Sequence, residues 1–384
     1  MKTIKEASLN NKIVVVRFDY NVPIKNGTIL DTTRIEKSLK TLNYILDRAS
    51  KVVILSHLGR IETEEDKKDK SLKPVCDYLS KLIKRDIAFC DYNNPVEVIN
   101  NNKIIMMENT RFFDVDNKKE SKSDEELSKF FASFGDIFIN DAFGTAHRDN
   151  ASNVGISKFL PSYNGFLIEE EVNNLDKLVK NVKRPYTVII GGAKVSDKIK
   201  VINNLREKVD HLLIGGGMVY TFLKAKGFNI GKSICEEEYV PIVKEVLNKY
   251  EDKIVLIKDN YVQDKVLKNI EDMNNDDIGY DIGPKTIESY KEIIDNSNTI
   301  FFNGAMGVFE EGYEYGTKEL LNILNNNKGI VVTGGGDTIN AINKYLKDNN
   351  FIISTGGGAS LEYLEGKELP GVFLWKRWRL ILLF

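Results

Sequence analysis

Cysteine is nearly absent, with three residues in 384 at Cys76, Cys90 and Cys235 and no CxxC spacing. That argues against a disulfide framework or a zinc site and fits a reducing, cytoplasmic compartment. Net charge is equally scarce. The 54 basic and 56 acidic residues leave −2, without the basic excess of a nucleic-acid binder. Anionic small ligands stay open, because a local arginine cluster does not need a basic protein. No run of ~18 uncharged apolar residues offers a membrane span, and the opening Met1–Ser8 lacks the apolar stretch of a signal peptide. A Walker A loop is missing, as is an early GxGxxG turn with its acidic partner, which counts against a nicotinamide dehydrogenase.

What is present has the balance of an ordinary globular protein, 42% hydrophobic and 29% charged, and is long enough for two domains of ~100–200 residues. The central stretch Thr187–Lys198 (TVIIGGAKVSDK) reads as a buried strand that stops at Gly191 and Gly192 and becomes a helix. Glycines let the backbone approach a ligand, and a helix start offers free N–H groups to phosphate. Four more apolar runs end in glycine: His211–Gly217, Ile300–Gly304, Ile330–Asp337 and Phe351–Gly358. Parallel strands with right-handed crossovers bring such ends to one edge, so these loops should line a single crevice fit for a nucleotide. Glycines also commonly end strands without any ligand. Five such loops carrying Lys194, Lys198, Asn303, Glu310 and Asp337 favour the ligand reading.

The first half repeats the grammar with arginine in place of glycine. A strand from Lys12 to Arg17 runs into Phe18–Pro23, and the alternation of Arg17, Asp19 and Asn21 places them on one face. A helix is expected from an N-cap at Thr32 or Thr33 through Asp47, with Arg34 in a first turn whose dipole opposes a cation unless an anion visits. Lys51–Leu55 ends in Ser56–Arg60, Ile104–Met107 leads to Glu108–Phe112, and Ile137–Ile139 leads to Asn140–Arg148. The mixed-charge run Glu62–Lys73 reads as a solvated loop. Arg17, Arg34, His57, Arg60, Arg111, His147 and Arg148 thus collect at strand ends beside Asp19 and Asn21. Guanidinium forks meet carboxylate or phosphate oxygens two at a time, so a polyanionic small substrate fits. His211 opens a strand and reads as structural. Apolar positions between Tyr163 and Arg184 describe one long amphipathic helix, stopped by Pro185, between the arginine and glycine halves.

Taken together, Arg17–Pro23 (RFDYNVP), Ser56–Arg60 (SHLGR), Asn140–Arg148 (NDAFGTAHR), Gly191–Lys198 (GGAKVSDK), Asn303–Glu310 (NGAMGVFE), Gly334–Asp337 (GGGD) and Ser354–Ser360 (STGGGAS) resemble phosphoglycerate kinase. The likeness runs in order from residue 1 to about Val372. It implies an α/β fold of two doubly wound, parallel-sheet, Rossmann-like domains joined by a long helix with a hinge. The expected limits are 1–162 for phosphoglycerate, 163–184 for the helix and 185–372 for the nucleotide, with an atypical apolar tail at 373–384. The implied reaction moves a phosphoryl group between 1,3-bisphosphoglycerate and ADP with magnesium, in a monomer without nucleic-acid or membrane partners.

By the same resemblance, Asp19, Asn21, Arg34, His57, Leu58, Gly59, Arg60, Arg111 and Arg148 would hold the phosphoglycerate. Gly192, Lys198, Gly216, Gly279, Asn303, Glu310, Gly335, Gly336, Asp337 and Thr338 would hold the nucleotide, with Glu310 at the ribose and Asp337 at the metal. Arg34 and Lys194 would meet at the transferring phosphoryl. The nucleophile of such a reaction is a carboxylate already ionised at neutral pH, so no general base is required. Alignment and cations carry the work. Substrates on separate domains call for closure. A binding protein on the same scaffold would lack transfer residues, and Arg34, Lys194 and Asp337 are all present. The chain departs from the family pattern at Ile61 for proline, Thr110 for leucine, Ala305 for proline beside the nucleotide, and in the tail Phe373–Phe384.

Overall fold

The computed structural model describes residues 1–180 and 182–372; the tail expected at 373–384 lies outside them. The described chain divides into two compact units, Met1–Val172 together with residues 368–372, and Asn173–Lys367.

In the first unit six strands form one parallel sheet: β1 (Ile13–Arg17), β2 (Lys51–Leu55), β3 (Ala88–Cys90), β4 (Ile104–Met107), β5 (Ile137–Asn140) and β6 (Ser162–Asn164). Their spatial order is β3-β4-β2-β1-β5-β6. Every residue of β4 and β5 is buried, as a sheet covered on both faces demands. Alternation sorts the side chains. Val14, Val16, Ile54 and Ile139 join one apolar cluster with Leu42 and Ile45, while Val15, Val53, Leu55 and Phe138 join another with Phe131 and Val154. Chain order reverses beside β1, between β2 and β5, and such a switch point leaves a crevice at the strands' C-terminal ends. Arg17 sits there, paired in register with Leu55 and Asn140.

The second unit repeats the plan with β7 (Tyr186–Ile190), β8 (His211–Ile214), β9 (Ile254–Val255), β10 (Thr299–Asn303), β11 (Ile330–Gly334) and β12 (Ile352–Ser354), ordered β9-β8-β7-β10-β11-β12. All neighbours are parallel. The switch point now lies at β7, whose C-terminal end is the Gly191–Gly192 turn. A separate antiparallel sheet of Asp259–Val262, Leu267–Asn269 and Gly279–Ile282 is an addition that apolar-run reasoning did not anticipate. Its sequence, with asparagine, aspartate and lysine throughout, carries no such run.

Helix α1 spans Thr33–Leu46. Its first N–H is taken by Asp31, whose Oδ1 accepts from Thr33 N at 2.9 Å; the Thr32 hydroxyl donates to Glu36 instead. Helix α2 covers Phe166–Val179, shorter than the 163–184 stretch expected. Tyr163 is committed to β6, which pairs with β5. Asp141, just after β5, accepts from Leu167 N and Ile168 N and so fixes where the helix begins. Downstream, the position before Pro185 is disfavoured for helix. Among the described residues no helix is long and apolar enough to cross a membrane.

Two buried carboxyls fasten these junctions. Asp141 does so in the first unit; in the second, Asp281 accepts from Ile282 N and Gly316 N, both at 2.9 Å. Burial pushes each carboxyl up to about 7, outweighing those hydrogen bonds. A carboxyl that holds its proton more tightly when folded stabilises the fold at low pH, and that stability is lost as pH rises through about 7. We expect the melting temperature to fall between about pH 5 and pH 8, with Asp141→Asn and Asp281→Asn each flattening the slope. The effect should be of order a few kcal/mol per site. Thermal unfolding at several pH values checks this, and unchanged slopes in both variants would refute it.

Candidate active site

At the C-terminal edge of the first sheet, arginines are held apart by side chains that consume part of their hydrogen-bonding capacity. Arg34, in the first turn of α1, donates to Asp19 Oδ2 at 2.9 Å and to Asn21 O at 3.3 Å. Asp19 thereby supplies the negative charge that a cation at a helix start lacks. Asn21 Oδ1 accepts from Gly59 N at 2.8 Å, tying the loop after β1 to the loop after β2. Arg111 Nη1 donates to Gly59 O at 3.0 Å. Leu58 is buried, its N–H and C=O both clamped by the side chain of Asn109. Arg60 and Arg148 are exposed, and Arg148 Nε donates to His147 Nε2 at 3.2 Å.

The electrostatics show that these groups converge. Burial, then Arg17, Arg111, Arg34 and Arg148, hold the His57 imidazole well below its ordinary value. Burial lowers Arg111 as well, with Arg148 and Arg60 acting in the same sense. Four arginines act on His57 and two on Arg111, so Arg17, Arg34, Arg60, Arg111 and Arg148 lie close together, with Asp19 paired to Arg34 and Glu120 opposing the shifts of Arg17 and Arg111.

In the second unit a cavity of about 320 Å³ opens beside the switch point. Five of the residues expected around a nucleotide line it: Gly192, Gly216, Gly279, Glu310 and Asp337. Three glycine loops are interlocked by backbone bonds on its floor. Gly191 N donates to Asn303 O, Gly192 N to Ala305 O at 2.9 Å, and Met218 N to Gly192 O at 3.0 Å. Gly192 and Gly304 both have φ of +102°, and Gly335 has +97°, so the turns need glycine.

The remaining expected residues form the frame of this cavity. Lys198 Nζ donates to Asn303 Oδ1, and Asn303 Nδ2 donates to Gly334 O. Both ends of the Asn303 amide are thus spent on the protein. Thr338 is buried, its Oγ1 accepting from Gly304 N at 2.8 Å. Gly335 and Gly336 precede Asp337 at the start of helix α3 (Gly336–Tyr345), an N-terminus that favours anions. Lys198 is lowered from its ordinary value by burial, with Asp197 and Asp337 opposing. Lys194 is exposed on the loop after β7.

Several contributors escaped sequence reasoning. The cavity's apolar wall, Tyr220, Ile234, Ile257, Ile278, Tyr280 and Phe309, comes from segments far apart in the chain, and nothing local marks them as neighbours. Asn109 and Glu120 were also missed. Glu120 lies in the charge-rich stretch after Arg111 yet is completely buried, accepting from Thr110 Oγ1 at 3.1 Å and Ser152 Oγ at 2.5 Å. Threonine at 110, a departure from the family pattern, thus has a partner.

Asp337 offers one carboxylate to a metal, and among the described residues no group of three or more His, Cys, Asp or Glu could hold one. A single carboxylate in the first turn of a helix that follows a glycine turn suits magnesium, which takes its other ligands from water and substrate phosphates.

A family model described as phosphoglycerate kinase matches residues 4–367. Proteins named phosphoglycerate kinase from Finegoldia magna and Enterococcus faecalis are 48% and 47% identical over 391 and 388 aligned positions, each covering 97% of this chain and 98% of the relative. Solved phosphoglycerate kinase structures from Coxiella burnetii and Pyrococcus horikoshii superpose with TM-scores of 0.88 and 0.84 at 36% and 30% identity. They cover 98% and 99% of both chains, respectively.

Proposed function

The chain belongs to the phosphoglycerate kinase family, glycolytic kinases that exchange a phosphoryl group reversibly between 1,3-bisphosphoglycerate and ADP, giving 3-phosphoglycerate and ATP, and from that premise we propose how its residues divide the work. The convergence of five arginines on one basin, with Glu310 and Asp337 on a separate glycine-floored cavity, carries the assignment. Asp19, Asn21, Arg34, His57, Arg60, Arg111 and Arg148, with Leu58 and Gly59, hold the phosphoglycerate. The cavity holds the nucleotide, Glu310 facing the ribose and the loop of Gly335, Gly336 and Asp337 facing its phosphates.

The chemistry needs no proton to be removed from the nucleophile. The 3-phosphoglycerate carboxylate attacks the γ-phosphorus, the bond to the ADP oxygen breaks in line, and the negative charge passes to ADP. Arg34 and Lys194 surround the transferring phosphoryl with cations. Magnesium, held through Asp337, neutralises the nucleotide phosphates when bound. Because the substrates occupy different units, transfer requires the units to close around them, which also removes water from an acyl phosphate that water would hydrolyse. We place the enzyme in the cytoplasm as a monomer, consistent with three free cysteines.

The direct test is ATP- and magnesium-dependent turnover of 3-phosphoglycerate, read by coupled reduction of the acyl phosphate. A folded chain without turnover would refute the assignment. Small-angle scattering with both substrates should show compaction; an unchanged radius of gyration would refute closure. For Asp337→Asn we expect the magnesium concentration at half-maximal rate to rise about 10–100-fold with 3-phosphoglycerate KM unchanged. An unshifted magnesium titration would remove Asp337 from the metal site.

A further inference from the structure

Arg17 was read from sequence as one more cation in the substrate basin. The structure turns it inward. Its side chain is almost wholly buried, and every polar atom of its guanidinium has a protein partner. Nε donates to Ser152 Oγ at 3.0 Å, Nη1 to the carbonyl of Phe18, and Nη2 meets His57 Nδ1 at 3.1 Å. A group this occupied is poorly placed to bind substrate. It is well placed to orient something that does.

The contact with His57 fixes a proton. A guanidinium has donors only, so Nδ1 must accept, and the ring is neutral with its hydrogen on Nε2. The rival partner of Nδ1 is Asp19 Oδ1, which would require the hydrogen on Nδ1. At 3.8 Å it is too far for a hydrogen bond, and Arg17 already aims an N–H at that nitrogen. The surrounding charges agree. Arg17, Arg34, Arg111 and Arg148 all disfavour protonation of the ring, with Asp19 the carboxylate opposing them. Nε2 has no protein partner among the described residues, so its hydrogen is available to an anion.

Behind Arg17 stands a carboxylate that holds it. Ser152 accepts from Arg17 Nε and passes its own hydrogen to Glu120 Oε1 at 2.5 Å, while Ser152 N donates to Glu120 Oε2 at 3.0 Å. Thr110 Oγ1 donates to Glu120 Oε1 at 3.1 Å. Glu120 and Ser152 are both completely buried. A buried charge pair of this kind is weak evidence for stability, and fixing one hydrogen-bonded arrangement is a recognised alternative use.

We propose that Glu120, Ser152 and Arg17 form a buried positioning relay that locks His57 as the neutral Nε2–H tautomer, giving the substrate basin a hydrogen-bond donor that carries no charge. The inference rests on the reading that His57 faces phosphoglycerate. A neutral donor adds nothing to the mutual repulsion of the arginines before substrate binds. It also keeps substrate affinity independent of histidine ionisation, which ordinarily falls near neutral pH.

Long-range proton–nitrogen correlation of the imidazole rings in the ¹⁵N-labelled full chain tests this, with His57 assigned by its loss in His57→Gln. Expected are a pyridine-like Nδ1 and a protonated Nε2 that do not titrate between roughly pH 5.5 and pH 8. In Ser152→Ala, and in the charge-neutral pair Arg17→Met with Glu120→Gln, the His57 signals should move toward a tautomer mixture. KM for 3-phosphoglycerate should rise about tenfold at neutral pH while kcat changes less than about twofold. A wild-type ring protonated at Nδ1, or one titrating near the ordinary value, overturns the proposal, as do unchanged His57 signals in both variants. The wild-type spectrum decides the tautomer even if a variant fails to fold. The expected tautomer in a chain without phosphoglycerate turnover would support the relay and sink the site assignment instead.

Discussion

Lys194→Ala is expected to lower kcat about 10²–10³-fold while leaving both KM values within a few-fold of wild type. Its loop is firmly anchored. Val195 is completely buried, and Ser196 donates through N and Oγ to Glu236 at 2.9 and 2.6 Å. Lys194 itself is exposed. Its removal should therefore cost little stability, within about 0.5 kcal/mol. In the proposed role it removes a cation needed most when charge spreads over the transferring phosphoryl, and a loss confined to the transition state appears in kcat. Coupled turnover with each substrate varied checks this. A raised KM with unchanged kcat would make Lys194 a ground-state binder and overturn its catalytic role.

Gly216→Ala should damage the glycine-floored cavity of the second unit without touching the arginine basin of the first. Gly216 has φ of +64°, and a Cβ built on it would lie 2.5 Å from Gly192 N, 2.7 Å from Gly192 O and 2.8 Å from Ala305 O. Those atoms are backbone, so no rotamer change relieves the clash; the three interlocked loops must part. We expect destabilisation of about 2–4 kcal/mol and a rise in nucleotide KM of at least about tenfold. Gly336→Ala is the contrast, because its added Cβ would meet nothing within 4 Å. It should stay within about 0.5 kcal/mol of wild type. Thermal unfolding and nucleotide titration of both variants decide the matter. Equal stabilities would mean that the loops yield easily and that the interlock is not what shapes the cavity.

Most of the architecture was legible because a parallel sheet writes itself as apolar runs. Lys51–Leu55 and Ile104–Met107 are strands with the limits that their runs suggest, and the glycine or polar residues after each run fall at one edge of each sheet. Helix α2 was overestimated because its expected limits ran past its apolar positions, Phe166 to Val179, which are the observed ends: Tyr163 is claimed by sheet pairing, and the residue before Pro185 is disfavoured for helix. The antiparallel sheet at Asp259–Ile282 stayed hidden because short strands rich in polar residues have no run to detect, even where folding buries them.

The candidate site divides the same way. Which residue types stand after which strand is a local property, so sequence alone determined that arginines would gather at one sheet edge and glycines at another, and with them the family and its reaction. Which of those groups are free to meet a ligand depends on neighbours far along the chain, and only the tertiary structure decided it. Arg17 and Asn303 close their strands and Thr338 sits in the first turn of α3, as the motifs require. Folding spends their hydrogen bonds on Ser152 and His57, on Lys198 and Gly334, and on Gly304. Hydrogen-bonding capacity is finite, and a motif names the groups that have it without saying where burial obliges them to use it.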